Sequence, residues 1–131
     1  MNALCARLQD VNEAGFYRLN CPQNVLRTAV AQAGFALFET DLAAVHDKPG
    51  FISAVAGAIH APGRLGNNWD ALADMLGDLG WQPAPGYVLM LCNGGEALGL
   101  PASDLAIATE IISDTVTFWK SQGKPFWVLR C

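Results

Sequence analysis

The chain has 131 residues, a length that suits one compact domain, and 52% of its side chains are apolar, which is enough for a core and too many for a disordered chain. Its net charge of −4 argues against direct nucleic-acid binding, which needs a basic face, and no apolar run reaches the length of a membrane span. The opening MNALCARLQD has no long apolar stretch of the signal-peptide kind, so a reducing cytoplasm is the simplest expected location.

In chain order, residues 1–13 place Leu4, Leu8 and Val11 roughly on one face and suggest a short helix. A short strand is expected at residues 16–19. Pro22 then suits an early helical position, Val25, Leu26, Ala29, Val30 and Ala33 form a stripe, and Gly34 stops the helix. Residues 35–42 read as a second strand. Asp47-Lys48-Pro49-Gly50 opens a helix with Phe51, Val55 and Ile59 inward, and Ala61-Pro62-Gly63 breaks it. Another helix is expected at residues 67–79. The uninterrupted apolar run YVLMLC, residues 87–92, predicts a strand buried on both faces, as in parallel sheets. A long helix from residue 101 or 103 to 122 places Ile107, Ile111, Ile112, Thr115 and Phe118 or Trp119 at helical spacing, and FWVL, residues 126–129, is the last strand. Strands alternating with helices predict an α/β fold: a small parallel sheet of three to four strands packed by helices.

The four cysteines, Cys5, Cys21, Cys92 and Cys131, form no CxxC pair, and the only histidines are His46 and His60, so no metal site is expected. Cys92 lies in an apolar run, where a small hydrophobe fits. No motif for a cofactor, nucleophile elbow or phosphate loop is present. Asp70 and Asp74 with His60 would make an acid/base set for a small enzyme, but paired carboxylates are common on helices, and His60 reads more simply as a helix-end residue.

Charge is unevenly spread. No Lys or Arg lies between Arg64 and Lys120, a stretch holding Asp70, Asp74, Asp78, Glu96, Asp104, Glu110 and Asp114. A partner with a basic surface follows from this block, unless the acids merely solvate helix surfaces. Within it, GNNWDALADMLGDL (residues 66–79) is the informative segment. Asn67 or Asn68 suits the helix cap. Trp69, Leu72, Leu76 and Leu79 form the inward stripe. Asp70, Asp74 and Asp78 form a second stripe of one sign at i, i+4, i+8, and like charges so placed cost the helix about 0.2–0.5 kcal/mol per pair. The dipole offsets this at Asp70 but fades by Asp74. No basic residue sits at a pairing position, so the face looks reserved for a cation from outside.

This segment resembles the helix motif of the barstar family, with Gly66, Asn68, Trp69, Asp70, Ala71, Leu72, Asp74 and Leu76 matching in place. The resemblance runs over about residues 34–131 as a barstar-like layered domain, leaving residues 1–33 as a strand-helix extension. It implies an intracellular protein inhibitor of a small guanyl-specific ribonuclease and no enzyme activity. It also implies a contact segment of Arg64, Leu65, Gly66, Asn68, Asp70, Ala73 and Asp74, with Asp70 and Asp74 taking the place of substrate phosphate against the nuclease's cationic side chains. Three positions differ from the family. Arg64 stands where a cleft-filling aromatic is known, Ala73 stands where an aromatic is frequent, and Phe118 stands near an acidic residue of the final helix. Glu110 and Asp114 lie one or two turns earlier and look like distant substitutes. An immunity-type or regulatory binding module with another partner is the alternative reading.

Overall fold

The computed structural model describes residues 7–63 and 66–131. Four strands and four helices alternate as β1 (Phe16–Arg18), α1 (Gln23–Ala33), β2 (Ala36–Asp41), α2 (Lys48–Ala58), α3 (Trp69–Leu76), β3 (Tyr87–Cys92), α4 (Ala102–Ser121) and β4 (Phe126–Arg130). The strands form one sheet in the order β1-β4-β3-β2, and every pairing is parallel. The fold is therefore α/β with a parallel sheet packed by helices.

The sheet explains the apolar runs. On β3 and β4, Tyr87, Leu89, Leu91, Phe126 and Val128 face a core shared with α2, α3 and α4. Their neighbours Val88, Met90, Trp127 and Leu129 point the other way, into a second core with Leu26 and Val30 of α1 and Leu8 and Ala14 of the N-terminal segment. A strand covered on both faces has no use for polar alternation. The segment before residue 34 thus supplies both an edge strand and the cover for one face of the sheet. Within residues 7–13, turns replace the expected helix. Leu8 is nonetheless buried, and its carbonyl accepts the Trp127 indole N–H at 2.8 Å; the part of the expected helix before residue 7 lies outside the described residues.

Local chemistry sets the helix ends. Gly34 takes a left-handed conformation (φ 74°) after α1, which costs glycine nothing. Asp47 caps α2 by accepting from the Gly50 N–H at 2.9 Å, with proline just inside the start. Cys92 does not pack as a free thiol. It closes β3 beside the residue after β4, and the two are joined as the Cys92–Cys131 disulfide with Cα atoms 4.4 Å apart. Spacing in the sequence could not announce this pairing, because the sheet brings together residues that are far apart in the chain. No helix among the described residues is long and apolar enough to cross a membrane.

Candidate functional site

Helix α3 is short and well anchored. Asn68 has an extended backbone, and its side-chain oxygen accepts from the N–H groups of Asp70 at 2.8 Å and Ala71 at 3.2 Å. This satisfies two donors that the first turn leaves open. Just upstream, Gly66 has φ 60°, a conformation that favours glycine and turns the loop into the cap. Leu72 and Leu76 are buried in the core. Trp69 is half-buried, its ring 6.0 Å from that of Phe51, and its indole N–H finds no hydrogen-bond partner among the described residues. The far end is held by α4, where the indole N–H of Trp119 donates to the carbonyl of Leu76 at 2.9 Å.

The helix ends earlier than its pattern suggests. It stops at Leu76 with Gly77 as its C-cap, so Asp78 lies outside it. The Asp78 carboxylate accepts from the Gly80 N–H at 3.2 Å, an Asx-type turn. Leu79, with φ 51°, still reaches the core from this turn, which is why the apolar spacing looked helical to residue 79. Only Asp70 and Asp74 remain as the acidic stripe of α3.

Both are exposed. Among the described residues neither is in an ion pair. Each opens onto a depression against α4. Asp70 lines an open one of about 630 Å³ with Asn67, Asn68, Trp69, Lys48 and Ile107. Lys48 comes from α2 and sits with its ammonium 5.7 Å from the centre of the Trp69 ring, so it shares the depression with Asp70 without pairing with it. Asp74 lines a narrower groove of about 320 Å³ with Ala73, Gly77, Ile111, Asp114, Thr115 and Phe118. Among the described residues no cluster of His, Cys, Asp and Glu is arranged to hold a metal ion.

Of the expected contact residues, Gly66, Asn68, Asp70, Ala73 and Asp74 follow one another from the loop along α3, while Arg64 and Leu65 lie outside the described residues. His60 is exposed with φ 56° just past the end of α2 and lines neither depression, so the acid/base set is not assembled there.

The structure adds residues that the sequence reading placed elsewhere. Ile107 and Phe118, which share the helical spacing of the long helix's apolar residues, are 40% and 42% exposed. The buried face of α4 is instead Ala108, Ile112, Thr115, Val116 and Trp119. Asp114, read as remote, lines the same groove as Asp74. A signal was present: Ile107, Ile111, Asp114 and Phe118 are spaced i, i+4, i+7, i+11, and a carboxylate inside an apolar stripe marks that stripe as facing out.

Taken together, a parallel α/β scaffold presents a capped acidic helix beside a partly apolar one, an arrangement suited to protein contact. The family model described as Barstar (barnase inhibitor) matches residues 35–131, and the chain belongs to that family. No curated protein and no solved structure matches it.

Proposed function

We propose that this protein inhibits a small basic ribonuclease by covering its active site with the segment of residues 64–74, as an intracellular, non-enzymatic partner of that nuclease. The observation that carries the reading is the pair Asp70 and Asp74: two exposed carboxylates on one short, capped helix, in no ion pair among the described residues, in a member of a family of barnase inhibitors. A ribonuclease active site gathers Arg, Lys and His around the substrate phosphate. Carboxylates held at phosphate-like positions form charge-assisted, even bidentate, bonds with such groups once water is excluded. The negative field of the stretch between Arg64 and Lys120 also draws a basic protein in. The cap at Asn68 and the anchor at Trp119 hold the aspartates in place before binding, so little ordering cost remains for the encounter.

Supporting contacts come from Gly66 and Asn68 at the turn, Ala73 beside Asp74, and Arg64 and Leu65. The test is a titration of purified small secreted ribonucleases against the protein, read by RNA cleavage. Stoichiometric loss of cleavage supports the reading. No binding to any basic nuclease at micromolar concentration favours the second reading, an immunity-type or regulatory module with a different basic partner. One observation speaks for that second reading: the exposed Phe118 presents an apolar ring where the family resemblance leads one to expect an acid.

A further inference from the structure

Two cations at one end of the sheet stand without partners. Arg18 and Arg130 are register partners on the parallel strands β1 and β4. The Leu19 N–H donates to the Arg130 carbonyl at 2.8 Å, so the ladder holds both arginines at its last rung. Alternation along the strands places them on one face. Phe16 and Val128, two residues earlier on each strand, turn to the core shared with α4, while Trp127 and Leu129 turn away. Arg18 is exposed and Arg130 half-buried. Among the described residues neither guanidinium is in an ion pair or a hydrogen bond. The other described Lys and Arg side chains each have a carboxylate, a carbonyl or an aromatic face beside them.

The topology singles out the same place. β4 lies between β1 and β3 in the sheet. Past the strand ends the chain leaves β1 for α1 on one face and β3 for α4 on the other, so the end of β4 meets the opening between two diverging connections. In open parallel α/β sheets ligands bind at such an opening. Both helices start there, behind Pro22 and Pro101, and neither has a side-chain cap. Their first N–H groups and positive dipole ends add to the charge of the arginines. Asp104, in the first turn of α4, pairs with neither arginine. Like charges opposite one another on neighbouring strands, about 4.8 Å apart, cost the sheet stability; an anion between them offsets that cost. Two guanidinium forks offer parallel N–H donors that match the oxygens of a phosphate group.

We propose that Arg18 and Arg130 form a binding site for the phosphate group of a small phosphomonoester at the C-terminal edge of the sheet. Arg18 lies before the segment matched by the family model, so the site is a property of the strand that this chain adds to the family's domain. It uses no residue of α3 and does not depend on the ribonuclease reading.

The test is an NMR titration of the full chain with inorganic phosphate, with adenosine 5′-monophosphate and, separately, with acetate, at an ionic strength held constant with chloride. Saturable amide shifts at residues 18–24, 102–105 and 130–131 are expected with both phosphate compounds, at least threefold tighter than with acetate. Arg18→Gln and Arg130→Gln should each weaken phosphate binding at least threefold. Arg27→Gln, which removes the same charge from an arginine already paired with a carboxylate, should leave it unchanged. Arg18 is exposed, so Arg18→Gln gives a reading even where Arg130→Gln disturbs the strand end, and unchanged spectra elsewhere report that the variants fold. Tighter binding of the nucleotide than of phosphate assigns a nucleotide, and equal binding assigns the phosphate group alone; both support the site. Shifts spread over all cationic residues, acetate binding as tightly as phosphate, or wild-type affinity in Arg18→Gln would overturn it. Arg18→Gln should still inhibit any ribonuclease that the wild type inhibits, so the failure of one proposal leaves the other standing.

Discussion

Trp119 of α4 donates its indole N–H to the carbonyl of Leu76, the last residue of α3, at 2.9 Å. This one bond satisfies a carbonyl that the helix end leaves without an intrahelical partner. It also ties the acidic helix to the helix that forms the opposite wall of its groove. Trp119→Phe removes the donor and leaves the Leu76 carbonyl buried and unpaired. We expect a loss of about 1–3 kcal/mol of folding stability, measured by urea unfolding.

The second core makes α1 part of the folded unit. Leu26 is fully buried there against the far face of the sheet. Leu26→Ala should cost about 2–5 kcal/mol, as for other deletions in a packed core. Val25, on the exposed side of α1, should tolerate alanine with a change near zero. Thermal unfolding of the two variants side by side distinguishes a docked α1 from a loose arm.

Much of this architecture was legible because it is written in local patterns. Pro22 and Gly34 bracket α1, and YVLMLC announces a strand covered on both faces. The motif at residues 66–79 carries its own cap in Asn68. What was not legible depends on where elements meet. The α3 spacing ran on through Leu79 because a left-handed turn delivers that leucine to the core just as another helical turn would. Which apolar side of α4 is inward was decided by packing against β3 and β4, and packing chose the side with Ala108 and Trp119. Lys48 and Asp114 joined the surroundings of Asp70 and Asp74 only through the contacts of α2 and α4 with α3.

The Cys92–Cys131 bond closes a span of 39 residues between neighbouring strands. Restricting the unfolded chain over such a span is worth about 2–4 kcal/mol. Cys131→Ser should lose that amount in non-reducing buffer and almost nothing in excess dithiothreitol. Wild type kept reduced should behave as the variant does in dithiothreitol. Urea midpoints of both proteins in the two buffers check this.

Arg27 of α1 pairs with Glu39 of β2 at 2.6 Å. The hydrogen bond from Arg27, more than its charge alone, holds the Glu39 carboxyl below its ordinary range, against a smaller opposing effect of burial. The sign follows: a depressed acid stabilises the fold above its unfolded-state pKa and loses that contribution as pH falls through the folded value. Both side chains are largely exposed, so the effect on stability is small and screened by salt. NMR titration of the Glu39 carboxyl carbon should give a midpoint below the ordinary glutamate range, and Arg27→Ala should return it to that range.

The central claim is that α3 meets a cationic active site through Asp74 and not through Asp78, whose carboxylate is engaged in its own turn. The most direct measurement is the inhibition constant of wild type, Asp74→Ala and Asp78→Ala against a ribonuclease that the wild type inhibits. Losing a charge-assisted bond in a dry interface costs about 1.5–3 kcal/mol, or roughly 10- to 150-fold in affinity. We predict that weakening for Asp74→Ala and less than a threefold change for Asp78→Ala, with all three proteins equally folded. Equal inhibition by wild type and Asp74→Ala would contradict the account.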